Sequence, residues 1–180
     1  MENKNMTPGK IALNYGLIFG IIVVVYSLVI YILGVDMKTQ KWLGYGNFVI
    51  LIIGMILGVK AYRDKYLGGY ISYGKSFTTV FLIGLFAMVI VSIYNYVYMT
   101  VINPGFMEEI LRTTEETILE SNPNMTDAQI DQALEMTQRF SKPWLSAIWS
   151  FVGGTLITLI ISLILAAFFV KKDKSMEGVA

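Results

Sequence analysis

Cysteine and histidine are both absent from this 180-residue chain. Without thiols there can be no disulfide, no thiolate metal site and no cysteine nucleophile. Without imidazole, the usual general base near neutral pH, the commonest metal ligand and the usual pH switch are all missing. Most hydrolase triads, haem sites and zinc sites are thereby excluded, while chemistry built on Asp, Glu, Lys, Ser or Tyr stays open. Charge is scarce too: 15% of residues are charged, against about 25% in soluble domains. Gly68-Gly69 and Gly74 follow no strand, so they make no nucleotide-binding loop. No catalytic, cofactor-binding or metal site is expected.

What the chain has is apolar length. Hydrophobic residues make up 55% of it and mean hydropathy is +0.60. They cluster into four runs, at about 11–34, 42–59, 76–102 and 144–170. A bilayer core of about 30 Å needs about 20 apolar residues in a helix. A soluble fold would have to bury four helices apolar all round in a chain too short to cover them. The first run is too long for a signal peptide, and no A-x-A site follows it, so it reads as an uncleaved span. The fold class is all-α: a polytopic membrane protein with four transmembrane helices in one membrane domain. Asp, Glu, Lys and Arg are missing from the middle of every run, which argues against a proton-coupled transporter and a charged ion pathway. The polar residues inside the runs are Asn14, Ser27, Asn47, Thr78, Thr79, Ser92 and Asn95. They suit inter-helix hydrogen bonds or interfacial solvation.

The flanking charges alternate in sign and set an orientation. Lys4, Lys10, Lys60, Arg63, Lys65, Lys75, Lys171, Lys172 and Lys174 put nine basic residues on one side. Lys38, Lys41, Arg112, Arg139 and Lys142 put five on the other, over a longer stretch. The positive-inside rule then makes both termini cytoplasmic. Aromatic residues form matching belts, with Trp42, Tyr45, Tyr94, Tyr96, Tyr98, Trp144 and Trp149 outside. Tyr15, Tyr62, Tyr66, Tyr70, Tyr73, Phe168 and Phe169 lie inside.

Residues 104–141 predict an extracytoplasmic amphipathic helical hairpin between the third and fourth spans. Asn103-Pro104 reads as a cap followed by proline at the first helical position. Met107, Ile110, Leu111, Thr114 and Ile118 recur at helical spacing, and Glu108 and Arg112 form an i,i+4 pair. Asn122-Pro123-Asn124 marks the turn. Thr126 and Gln129 fit a capping box, Ile130, Ala133, Leu134 and Thr137 make the second stripe, and Glu135 pairs with Arg139. The two helices are expected at about 104–121 and 126–141, and the long third and fourth spans leave room to continue into them. Over the loop at 103–143, eight acidic residues against three basic ones give a solvated acidic face. Hard cations prefer such oxygen ligands, yet no EF-hand spacing is present.

Gly16 and Gly20 form one GxxxG pattern, and Gly54 and Gly58 form another. Gly153, Gly154, Thr155, Thr158 and Ser162 give the fourth span a small-residue side. Such grooves let another backbone approach closely, within the chain or in a homo-oligomer. The segment from Lys60 to Phe77 mixes Lys60, Arg63, Lys65 and Lys75 with tyrosines beside the membrane. It reads as a topology signal with interfacial anchors, and as a possible contact for lipid headgroups.

The order of these features resembles a family of Bacteroidetes membrane proteins, domain of unknown function 4199. The resemblance rests on the Tyr15-Gly16 span and on Gly-Tyr-Ile-Ser-Tyr-Gly-Lys-Ser-Phe at 69–77. It rests also on Tyr94 to Tyr98 leading into Ile102-Asn103-Pro104, the acidic hairpin and the Lys-Lys tail. It implies a four-helix inner-membrane protein with no assigned activity. Genes of the family often neighbour a lipid-linked-sugar glycosyltransferase, which implies a place in envelope metabolism.

The expected function is a non-enzymatic membrane module, self-associating or accessory to an envelope complex. Its expected partners are membrane lipid and another copy or another membrane protein, not nucleic acid. A small transporter or channel subunit for a lipid or neutral solute is the alternative. An enzyme using Lys75, Tyr73 and Asp64 on a headgroup ranks third.

Overall fold

The computed structural model describes residues 6–171. Lys4, Lys172 and Lys174, which enter the orientation argument, lie outside them. The described chain is helical apart from short connections and one isolated bridge. Its elements are α1 (Pro8–Ile32), α2 (Met37–Tyr66), α3 (Tyr73–Val97), a π-helical turn (Tyr98–Ile102), α4 (Phe106–Ser121), α5 (Asp127–Phe140) and α6 (Pro143–Phe169). Four of these helices are long and apolar enough to cross a membrane: α1, α2, α3 with its π turn, and α6. The protein is a multi-pass, all-helical membrane protein.

Local chemistry explains most of the ends. Pro8 sits in the first turn of α1, and the Thr7 hydroxyl accepts from the Lys10 amide. Gly34 takes φ 61°, which closes the connection to α2. Asp36 then caps α2 by accepting from the Thr39 amide at 3.0 Å and the Thr39 hydroxyl at 2.7 Å. α2 is the largest departure from the sequence reading: an apolar run of 42–59 becomes a helix of 30 residues. Hydropathy measures where lipid is, whereas the helix needs only helix-compatible residues, and Lys38–Lys41 and Ala61–Lys65 supply them on either flank.

The chain divides into two compact units, residues 1–91 with 152–180, and residues 92–151. In the first, α1 and α2 pack along each other. The core is Ile11, Ala12, Met55, Val59, Tyr62, Ile71, Val80 and Ile83, with Tyr15, Phe86, Ile161 and Leu165 packed against it. Buried positions on α6 are Thr158, Ser162 and Ala166. With Gly154 they recur every fourth residue, a single small-residue stripe.

In the second unit α4 and α5 pair as a hairpin. Thr126 caps α5, and its amide donates to the Gln129 side chain at 3.0 Å, as a capping box requires. Arg139 meets Glu135 at 2.6 Å. Two expectations for α4 need correction. It starts at Phe106, because Pro104 and Gly105 form a turn in which the Phe106 amide donates to the Asn103 carbonyl. Asn103 instead closes the π turn, its amide donating to the Tyr98 carbonyl at 2.7 Å. Arg112 pairs with Glu116 at 3.8 Å rather than with Glu108. Neither α3 nor α6 runs on into the hairpin: the π turn and Asn103–Gly105 interrupt one side, and Ser141-Lys142-Pro143 the other.

Candidate functional site

The glycine pairs decide which helix faces are free. A Cβ on Gly16 would lie 2.7 Å from the Ile83 carbonyl oxygen and 2.7 Å from the Phe86 Cβ, so α1 lies against α3 at that point. On Gly20 it would meet the Ala87 Cα at 3.2 Å. Gly54 and Gly58 receive α1 side chains, Phe19 and Tyr15 respectively, and Gly58 also meets Ile83 of α3. Gly84, outside every glycine pattern of the sequence, meets Thr158 of α6 and Met55 of α2. Gly154 meets Met88 of α3. Gly153 is the exception, with nothing within 4 Å of its Cβ direction. The 3.6-residue period puts Gly154 on the Thr158–Ser162–Ala166 stripe and rotates Gly153 off it by about 100°. Adjacent glycines therefore have different surroundings.

The polar residues inside the spans are treated unevenly. Ser27 donates to the Asn47 side-chain oxygen at 3.4 Å, and Thr79 donates to the Lys75 carbonyl at 2.7 Å. Asn14 and Thr78 are exposed. Ser162 donates to the Thr158 carbonyl at 2.6 Å inside the core. Thr158, expected on the small-residue side of the fourth span, is buried, and so is Ser76, which no pattern in the sequence singles out.

The densest gathering of charge beside the apolar core is at the end of the first unit. Lys60 follows Val59, where the apolar run of α2 ends, and Arg63 and Lys65 complete the helix. Gly68 at φ 64° and Gly69 at φ 89° turn the chain, conformations that a side chain would strain. The Gly69 amide donates to the Arg63 carbonyl at 2.9 Å. Ile71, 2% exposed, then enters the core. Its backbone forms an antiparallel bridge with Lys171, with N···O distances of 3.0 and 3.1 Å. This clip fixes the α2–α3 connection to the end of α6. The sequence reading assigned Lys171 only to a basic tail; no local signal marks a pairing partner so far along the chain.

Around the clip, cations and aromatic rings interleave. The Lys171 amino group lies 5.9 Å from the Tyr70 ring centroid, and the Arg63 guanidinium carbon 6.0 Å from that of Phe169. Arg63 also grips Asp64 through two hydrogen bonds, at 2.6 and 3.1 Å. Lys60 and Lys171 both lie close enough to act electrostatically on the Asp64 carboxylate. The Lys60, Lys65, Lys75 and Lys171 side chains are exposed. Arg63 alone pairs with this carboxylate, while Lys60 and Lys65 lie on the same helix, Lys75 begins α3 and Lys171 is held nearby by the clip. The three groups considered for enzyme chemistry have other occupations: Asp64 holds Arg63, the Tyr73 hydroxyl donates to the Leu163 carbonyl at 3.3 Å, and the Lys75 side chain is exposed.

The second unit offers a groove and an acidic face. The groove, of about 360 Å³, is lined by Ser92, Ile93, Tyr96, Ala147, Ile148 and Phe151 and is almost wholly apolar. Among the described residues, no three His, Cys, Asp or Glu side chains are grouped closely enough to hold a metal ion. Most of the acidic side chains of α4 and α5 are exposed.

Comparison with known proteins agrees with the order of features along the chain. The model of the family described as "Protein of unknown function (DUF4199)" matches residues 14–171. That is most of the chain, and the chain belongs to this family. No curated protein and no solved structure matches it.

Proposed function

We propose that this protein is a non-enzymatic module of the bacterial inner membrane that works by assembling with another copy of itself or with another membrane protein. Its termini and the basic residues around the Ile71–Lys171 clip (the basic collar: Lys60, Arg63, Lys65, Lys75 and Lys171) lie on the cytoplasmic side, and the hairpin lies outside. The orientation is supported by the excess of basic residues flanking α1, the α2–α3 connection and the end of α6.

The observation that carries the assembly reading is how little the hairpin buries by itself. α4 has no buried residue and α5 has one, Ile130. Leu119, Met136 and Phe140 are half exposed, at 50, 54 and 55%. Helices of 16 and 14 residues are marginal on their own in water. A further surface against this stripe supplies what the pair lacks. The small-residue faces of the spans, by contrast, are already occupied within the chain at Gly16, Gly20, Gly54, Gly58 and Gly154.

The test is the intact mass of the complex extracted from native membranes in mild detergent, with its components identified. Assembly predicts a defined oligomer or a stoichiometric partner, dispersed by Met136→Glu with Phe140→Glu. A strictly monomeric, partner-free protein would sink the reading. Orientation is checked separately. The cysteine-free chain allows a single Ser121→Cys to be labelled by an impermeant maleimide in cells with a permeabilised outer membrane, and protection of that site would reverse the topology.

One observation favours a second reading, a transporter or channel subunit for a lipid or neutral solute. The α3–α6 groove is apolar and large enough for part of an acyl chain. Flux in proteoliposomes, lost in Ala147→Trp, would support it, and no flux across a broad panel of solutes would count against it.

A further inference from the structure

We propose that Lys60, Lys65, Lys75 and Lys171 form a binding site for the phosphate of an anionic phospholipid headgroup, shaped by the loop at 67–72. Basic residues beside a span serve as topology signals, and that role is fulfilled while the chain is still being inserted. It requires no fold and no particular arrangement of the lysines. Here the arrangement is specific. The Ile71–Lys171 clip holds a lysine from the end of α6 beside the α2–α3 connection. Gly68 and Gly69 adopt the left-handed backbone needed for Ile71 to reach the core.

Among the described residues, the charge of these lysines is not cancelled by an ion pair. Asp64 is committed to Arg63, and it is the one acidic residue among 60–75. Lys60, Lys65, Lys75 and Lys171 have exposed side chains. Four exposed ammonium groups thus flank a neutralised ion pair, Lys60 and Lys65 from the same helix, Lys75 from the start of α3 and Lys171 through the clip, each a compact donor suited to phosphate oxygens. The surroundings select a lipid over a dissolved anion. Tyr70 and Tyr73 are 41 and 44% exposed and Phe168 is 79% exposed, so amphipathic and apolar rings flank the cations. Rings of this kind settle at headgroup depth, where acyl chains and phosphates meet. The inference rests on the four helices spanning a membrane and not on their orientation or on any assembly partner.

The experiment uses the full-length protein, purified and delipidated in detergent, and native mass spectrometry with phosphatidylglycerol against phosphatidylcholine. Phosphatidylglycerol should bind at least about tenfold more tightly, since each lysine near an anionic headgroup is worth roughly fivefold. Replacing the four lysines by glutamine should bring the preference to about unity, and replacing them by arginine should preserve it. Lys38→Gln with Lys41→Gln, at the opposite end of α2, should leave it unchanged. Because all six side chains are exposed, an unaltered circular dichroism spectrum will show that the variants still fold. Equal binding of the two lipids, or an undiminished preference in the glutamine variant, overturns the proposal. So does displacement of phosphatidylglycerol by millimolar inorganic phosphate, which would make the ligand a dissolved anion. Monomeric protein that keeps the lipid preference would refute assembly and leave this site standing.

Discussion

The spans and the hairpin sort their residues by opposite rules. In α1, α3 and α6 many of the buried positions are small or polar: Ala12, Gly16, Gly20, Ser76, Thr79, Gly84, Thr158 and Ser162. Large apolar residues such as Ile18, Ile93, Leu156 and Phe168 are the exposed ones. In α4 and α5 the exposed positions include Glu115, Glu116, Asp131 and Glu135, and the one fully buried residue is Ile130. The difference is the solvent. Lipid tails are as apolar as leucine, so turning a leucine inward gains little, and close approach of backbones decides the interface. Water rewards burial of the apolar stripe, so the hydrophobic effect decides it.

The largest effect that would sharpen this contrast is at Gly16. Gly16→Leu drives a side chain into the Ile83 carbonyl and the Phe86 Cβ, neither of which is the end of a flexible chain. It should destabilise the helix bundle by about 3 kcal/mol in denaturant titration of the detergent-solubilised protein. Gly153→Leu, at a position where an added Cβ meets nothing within 4 Å, should change stability by less than about 0.5 kcal/mol. Equal effects would mean that α1 does not approach α3 as described.

Next comes Ile130, 7% exposed. Ile130→Ala should cost the hairpin about 2 kcal/mol, seen as faster amide exchange in α4 and α5 and protease cleavage near 122–125. Exchange within α1 and α2 should stay as it was. Coupled loss in both regions would break the comparison.

Smaller still is the exposed Glu135–Arg139 pair. Glu135→Gln should lower hairpin stability by about 0.3 kcal/mol, and the loss should vanish at high salt. The smallest effect is at the start of α2. Asp36 accepts from the Thr39 side chain and then from its amide, and these bonds hold its carboxyl below the usual carboxylate range. Its capping contribution is therefore present above the ordinary carboxylate value and disappears as pH falls through the depressed one. Protection of the Lys38 and Thr39 amides, taken relative to the intrinsic exchange rate at each pH, should fall under acid, with no change in the rest of α2, and Asp36→Asn should remove most of that pH dependence.

Four apolar helices were legible in the sequence because lipid demands unbroken runs, and the hairpin because water demands amphipathic stripes. The full length of α2 was not, since Lys38–Lys41 and Ala61–Lys65 are polar yet helical. The start of α4 misled because proline after asparagine reads as a first helical turn, whereas Gly105 allows another bend before Phe106. Of the candidate collar, Lys60, Arg63, Lys65 and Lys75 could be named from their proximity in sequence. Lys171 could not, because only the tertiary pairing with Ile71 brings it there. Gly84 and Ser76 were passed over for a related reason. A lone small residue in an apolar run carries no pattern, and its importance lies in the helix opposite.

The Ile71–Lys171 bridge also sets a timetable for synthesis. Its two strands of backbone are made about a hundred residues apart, and a chain emerging from the ribosome inserts its first spans well before its last. The α2–α3 connection must therefore wait, with its carbonyl and amide solvated, until α6 has threaded the bilayer and brought its end back alongside. The collar is completed by the final act of biogenesis, so a ribosome-bound or truncated intermediate carries its first three spans without it.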